Sequence, residues 1–256
     1  MEIENKTNII LDKYIPLLQN KLKVLELQDS HLKSDTDHQE CFIIKNGSVL
    51  ARNHKGKTQT LIEGSPIGFA EALVSRPYDL KYMLKEKTDV YAFKASDIRK
   101  YMSSGSSLTR GIIKYSLDRI FENRKSKTYH LIDDGFLSRQ VNKFPMKEFQ
   151  DNDTVFMRGQ KPKFFFYVES GKVELINKLE RLIAEFHPGD SFGEMALFNE
   201  TLRTTKAKVV GTTVLHLVSA DFIKSFFENE DVFLKFIVLS IFERLNAMNK
   251  LRNLIV

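Results

Sequence analysis

The sequence predicts a mainly β chain with helices: two small β units, linked by a long helix and ending in a long C-terminal helix. Two observations carry this. Short β-rich runs recur between glycine turns, and the pattern of one half returns in the other. At 256 residues, 42% apolar and 28% charged, the chain is long enough for two domains and apolar enough to bury a core in each.

The repeat is read residue by residue. Phe166-Tyr167-Val168-Glu169-Ser170-Gly171-Lys172-Val173 has the form strand, turn, strand. So does Phe42-Ile43-Ile44-Lys45-Asn46-Gly47-Ser48-Val49, and Gly171 follows Gly47 by 124 positions. Gly189 and Gly193 follow Gly64 and Gly68 by 125, and Asp221 follows Asp97 by 124. A register kept over such a span points to internal duplication. In the second half, strands are expected at 163–168, 172–177, 182–186, 207–210 and 213–218, a spacing that suits a small barrel or sandwich.

Helices follow each β unit. Ser103-Ser104-Gly105-Ser106-Ser107 interrupts the strands, and Ser107 suits the N-cap of a helix from 108 to about 132. Ile113, Leu117, Ile120 and Phe121 share one face of it, and Asp133-Asp134-Gly135 stops it. A last helix is expected over 231–253. Glu228, Glu230 and Asp231 stand at its start and Lys250 and Arg252 at its end, as the helix dipole favours. Leu234, Val238, Ile241, Leu245 and Met248 alternate steps of four and three. That stripe is either a coiled-coil seam for a second copy or a face packed on the protein's own barrel. The division expected is 1–104, a linker helix over 105–135, and 136–256 with the C-terminal helix.

The candidate site lies in His187-Pro188-Gly189-Asp190-Ser191-Phe192-Gly193-Glu194-Met195-Ala196-Leu197-Phe198-Asn199-Glu200-Thr201-Leu202-Arg203-Thr204-Thr205. It reads as a strand end, a glycine turn and a short helix starting near Glu194. Gly193 permits close backbone approach, and helix N-termini offer N–H groups to anions. Arg203, nine residues past Glu194, is far enough to return over the same concavity. Its planar fork suits a phosphate, and Glu194 is an acceptor suited to a ribose hydroxyl.

This run closely resembles the phosphate-binding cassette of cyclic-nucleotide-binding domains, the fold of the catabolite activator protein and of protein kinase A regulatory subunits. The cassette's Phe-Gly-Glu-(Leu/Ile)-Ala-Leu is matched by Phe192 to Leu197, with Met195 as a conservative filler, and Arg203 stands at the family's spacing. Leu202 replaces the usual proline and Lys206 a small residue. The resemblance is strong over about 140–230 and, through the repeat, weaker over about 15–100. It implies two jelly-roll units in tandem. It implies that Glu194 accepts from the ribose 2′-hydroxyl and that Arg203 pairs with the cyclic phosphate. Amides near Met195 and Ala196 would donate to phosphate oxygens, and Thr204 would offer its hydroxyl to phosphate or base. Phe192, Gly193 and Thr205 complete the expected ligand-binding set. The implied ligand is cAMP, with cGMP as the alternative; no cofactor and no metal are implied.

The first half has lost these groups. Ile67-Gly68-Phe69-Ala70-Glu71-Ala72-Leu73 echoes the cassette, but Phe69 stands opposite Glu194. Arg203 falls on Tyr78 at an offset of 125, or on Asp79 at 124. A structural or docking role, or a different ligand, is expected there, and one nucleotide per chain.

Other chemistry is excluded. Cys41 is the single cysteine, so no intrachain disulfide forms, in keeping with a reducing cytoplasm. The start lacks a signal-peptide pattern, and no apolar run approaches the roughly 18 residues of a membrane span. The net charge of +6 comes from scattered basic residues, a mild surface excess rather than a nucleic-acid patch. Gly56-Lys57-Thr58 lacks the first glycine of a P-loop and reads as a hairpin turn. His31 and His38 lie near Cys41 without zinc-site spacing. Phe164 to Tyr167 reads as a core strand. No catalytic constellation stands out.

The expectation is therefore a non-enzymatic receptor, cytoplasmic, acting through movement of the C-terminal helix on an unknown protein partner or a homodimeric copy. The alternatives are a ligand-independent scaffold and a kinase-regulatory-subunit-like inhibitor. No Arg-Arg inhibitor motif occurs in the first forty residues, and no helix-turn-helix follows the last helix. That favours a free-standing tandem receptor.

Overall fold

A computed structural model describes residues 10–33, 39–121, 141–198 and 201–253. The mainly β architecture with helices holds. The described chain divides into two compact units: residues 10–105 with 117–121 and 231–253, and residues 106–116 with 141–230.

The first unit opens with the helical turns Ile10–Tyr14 and Ile15–Lys21. Its strands are β1 (Lys23–Glu26), β2 (Glu40–Asn46), β3 (Val49–Arg52), β4 (Thr58–Leu61), β5 (Pro66–Ile67), β6 (Lys81–Leu84) and β7 (Asp89–Lys94). They form two antiparallel sheets, in the orders β1-β7-β2-β5 and β4-β3-β6. Gly56 lies in the β3–β4 hairpin turn, closed by the bond from its N–H to the Asn53 carbonyl, so the lysine beside it opens no helix. Helix α1 (Phe69–Val74) follows Gly68, and α2 (Ala95–Ser104) follows β7. Helix α3 (Ser107–Ile120) starts one residue before expectation: the cap is Ser106, whose hydroxyl accepts from the Thr109 N–H at 3.2 Å, and Ser107 is the first helical residue. The expected extension to 132 and its Asp133-Asp134-Gly135 stop lie outside the described residues.

The second unit is one antiparallel sheet built on two long strands. These are β10 (Phe164–Ile176) and β13 (Lys206–Ser219), flanked by β8 (Met146–Phe149), β9 (Thr154–Phe156), β11 (Leu182–Phe186) and β12 (Ser191–Phe192). The expected pairs of shorter strands are fused. Gly171 does not end a strand; the ladder slips register between Val168 and Ser170 and again across Gly171, and continues. Its φ is +86°, and a Cβ there would sit 2.3 Å from Thr213 Oγ1. A glycine of left-handed φ serves a bulge as well as a turn, which is why the sequence reads both ways. The core gathers Phe149, Phe156, Phe166, Phe186 and Phe192 with Val168, Val209 and Leu215, so Phe164 to Tyr167 is a core strand. The short helix α4 (Glu194–Phe198) follows Gly193, and α5 (Ala220–Glu228) follows β13, where the Ser219 hydroxyl accepts from the Phe222 N–H at 3.2 Å.

The last helix, α6 (Val232–Asn253), is placed differently from expectation. It belongs to the first unit, not to the barrel it follows. Phe236 packs 4.8 Å from Phe93 and 5.5 Å from Phe69, and Phe233 meets Tyr101 edge-on at 4.9 Å (ring centroids). Its last turn is tied to α3 by Arg252, which donates to the Arg119 and Ile120 carbonyls. The seam residues Leu234, Val238, Ile241, Leu245 and Met248 are all buried, and so are Ile237, Leu239 and Phe242 beside them. A helix apolar nearly all round is a core helix. Of the two readings of the stripe, packing within the protein is the one observed, and the homodimer seam is withdrawn.

Truncating Phe236 to alanine is expected to cost about 3–5 kcal/mol of stability by urea unfolding, whereas Leu202→Ala, on the surface, costs within about 0.5. A small Phe236 effect would mean that α6 is not part of the core.

Candidate functional site

The site is built from the turn between β12 and α4. Phe192 is fully buried and stacks between Phe166 (5.1 Å) and Phe186 (5.0 Å). It anchors the turn from beneath, and its side chain offers no surface to a ligand. Gly193 takes φ +89°, which lets the chain swing from the strand into α4. Glu194, first in α4, is only 4% exposed. Met195 is half-buried, and Ala196 and Leu197 are buried.

Arg203 returns to this turn. Its side chain is drawn inward, with the residue 5% exposed. Nη1 donates to the Gly193 carbonyl and Nη2 to the Phe164 carbonyl, each at 2.5 Å. The guanidinium carbon lies 4.1 Å from the centroid of the Phe156 ring. The backbone is held too: the Arg203 N–H donates to the Gln160 carbonyl at 2.9 Å, and the Gly159 N–H donates to the Arg203 carbonyl at 2.8 Å. Burial lowers the Arg203 pKa to about 10, against the Glu194 charge, which supports the cation. The group therefore remains charged at neutral pH but is poorly solvated, which primes it for an anion.

Thus Gly193, Glu194 and Arg203 are brought together, as their spacing predicts. Thr204 is exposed and Thr205 half-buried, just beyond the guanidinium. Leu202, in place of the usual proline, is exposed. Lys206 is half-buried, 3.6 Å from Glu180. Sequence reasoning missed Phe156 and the Phe164 and Gln160 carbonyls. Phe156 alone carried a signal, as an aromatic ahead of the glycine at 159.

In the first unit the equivalent turn is filled. A Cβ on Gly68 would lie 2.9 Å from Tyr78 Cε1, just as one on Gly193 would lie 3.0 Å from Arg203 Nη1. Tyr78 stands where Arg203 stands, and its hydroxyl donates to the His31 carbonyl at 3.3 Å. Phe69, opposite Glu194, is buried against Phe93 and Phe236. Arg76 packs over Phe121 at 4.3 Å. His31 Nδ1 accepts from the Gln28 N–H at 2.9 Å, His38 lies outside the described residues, and among the described residues no His, Cys, Asp or Glu group could hold a metal.

Residues 146–230 match the family model of the cyclic nucleotide-binding domain. The chain carries such a domain over these residues. An uncharacterized protein of Haemophilus influenzae is 30% identical over 98 residues, which are 36% of this chain and 70% of that protein. The cAMP-dependent protein kinase regulatory subunit of Candida albicans is 22% identical over 218 residues, 82% of this chain and 46% of that subunit. The chain therefore spans less than half of that relative's length. Among solved structures, the regulatory subunit of a cAMP-independent protein kinase A from Trypanosoma brucei aligns at 17% identity over 80% of this chain and 74% of that one, with a TM-score of 0.33. The regulatory domain of Toxoplasma gondii PKA with cAMP aligns at 13% identity over 88% and 93%, also at 0.33. No helix among the described residues is long and apolar enough to cross a membrane.

Gly193→Ala forces a side chain into a left-handed turn and against the guanidinium. It is expected to lower stability by about 1–2 kcal/mol in denaturant unfolding, where an unchanged midpoint would show that the turn tolerates a Cβ.

Proposed function

We propose that the second unit is a receptor for a cyclic nucleotide, cAMP or cGMP, and that the protein is regulatory rather than catalytic. One observation carries the reading: a buried, charged Arg203 sits on the Gly193 turn beside Glu194. A cyclic nucleotide offers one phosphate charge and one free ribose 2′-hydroxyl. Arg203 suits the first and Glu194 the second, with the Met195 and Ala196 amides and the Thr204 and Thr205 hydroxyls as further donors. The phosphate would add a full negative charge and further acceptors beside a guanidinium that burial leaves poorly solvated.

In this reading the first unit is a second, degenerate copy of the same fold that serves as scaffold. Left-handed glycines at 47, 64 and 68 match those at 171, 189 and 193, which supports duplication. The run matched by the Candida subunit is long enough to take in both halves, which supports a regulatory role. The output passes to a protein partner through movement of the helices after the second barrel. Glu230, between α5 and α6, accepts from the Ser106 N–H at 3.0 Å and from the Thr109 hydroxyl at 2.5 Å. A shift of α5 would therefore be felt at the start of α3. The protein acts in the cytoplasm, where such ligands are made and where Cys41 stays reduced.

Titration calorimetry with cAMP and cGMP tests this. One site per chain is expected, with affinity flat from about pH 6 to about 9, because Arg203 remains charged throughout. Arg203→Ala should weaken binding by roughly 30- to 4,000-fold, the effect of about 2–5 kcal/mol. Absence of heat and of thermal stabilisation with both nucleotides would refute the receptor and leave the scaffold.

A further inference from the structure

The first unit contains a buried ion pair that nucleotide binding in the second unit does not use. Arg244 Nη2, on α6, donates to Glu71 Oε1, on α1, at 3.0 Å, and the two side chains are 2% and 0% exposed. The partners lie 173 positions apart. On α6, Lys235 and Glu243 keep partial exposure, while Arg244 is carried into the core. Ser240 is also buried, but its hydroxyl is satisfied within the helix by the Phe236 carbonyl.

The surroundings of the pair are polar. Gln59 on β4 and Tyr82 on β6 both stand opposite Ala51 on β3, so all three share one face of that sheet. Gln59 Oε1, the Tyr82 hydroxyl, Glu71 Oε2, and Arg244 Nε and Nη1 are buried and have no hydrogen-bond partner among the described residues. That is a polar interior with more hydrogen-bonding capacity than the pair consumes. The cassette-like turn beside it has no arginine of its own, because Tyr78 fills the space over Gly68. The guanidinium arrives from α6 instead.

We propose that the buried pairing of Arg244 with Glu71 is a latch that fixes where α6 sits on the first unit. The inference does not rest on nucleotide binding by the second unit. The physical case is the incomplete hydrogen bonding. Desolvating both charges is repaid in part only, so the pair adds little net stability over apolar residues, yet loss of either partner strands a buried charge. Such a pair selects where α6 sits more than it strengthens the fold. Packing by Phe233 and Phe236 supplies the adhesion.

Hydrogen exchange of the full chain, read by mass spectrometry, tests the latch. In Arg244→Met and in Glu71→Gln, amides of α6 are expected to exchange about tenfold faster or more, while β2 and β7 keep wild-type protection. In the double variant Glu71→Leu/Arg244→Met, where no charge is stranded, α6 should return to within about threefold of wild type. Unchanged α6 exchange in both single variants would overturn the proposal. So would loss of protection in β2 and β7 in step with α6, since the pair would then be ordinary core. If the single variants do not fold, Arg244→Lys, which keeps the charge without the planar fork, carries the same comparison.

Discussion

The second unit depends on one buried guanidinium. Arg203 is held where water reaches it poorly, by two carbonyls, an aromatic face and a neighbouring carboxylate. Each of these comes from a different element. The Gly193 carbonyl is delivered by the turn after β12, the Phe164 carbonyl by the start of β10, and the Phe156 ring by β9. The loop at 159–160 fixes the backbone of Arg203 itself. Unlike a surface arginine, this one has already lost its side-chain entropy and most of its hydration. An anion that reaches it meets a donor set organised before binding, which is the condition for tight recognition.

The first unit is arranged differently around its own left-handed glycine at 68. Tyr78 takes the space over the glycine, Phe69 replaces the glutamate with an apolar contact, and α6 is drawn in. The same glycine geometry thus supports two outcomes. One turn holds a buried guanidinium; the other closes over aromatic packing beside an internal ion pair. The final helix belongs to the first unit, while the arginine-bearing turn belongs to the second.

Much of this was legible in the sequence, and the limits have physical causes. The offset of 124 to 125 placed Phe69 opposite Glu194, and Tyr78 or Asp79 opposite Arg203; in the structure it is Tyr78 that lies against Gly68 as Arg203 lies against Gly193. The start of α3 was readable to within one residue, because caps are local and the run 103–107 offers several serines, of which Ser106 and not Ser107 is the cap. The continuity of β10 through Gly171 was not, because a positive φ is common to bulges and turns. The stripe on α6 announced a buried face, but periodicity does not say which surface buries it. Phe233, Phe236 and Ile237, off that stripe, were the signal for a core helix. The carbonyls that hold Arg203 belong to main chain and leave no mark in residue identity. The pairing of Arg244 with Glu71 joins residues 173 positions apart, beyond any local pattern.

The central claim is that the Arg203 guanidinium receives the phosphate of a cyclic nucleotide. Nitrogen-15 NMR of the arginine side chains addresses it directly, with the Arg203 resonance assigned by its loss in Arg203→Lys. Saturating cAMP or cGMP is predicted to move that resonance, and adenosine, which has the base and ribose but no phosphate, is predicted to leave it in place. An Arg203 signal unmoved by either cyclic nucleotide at saturation would contradict the account.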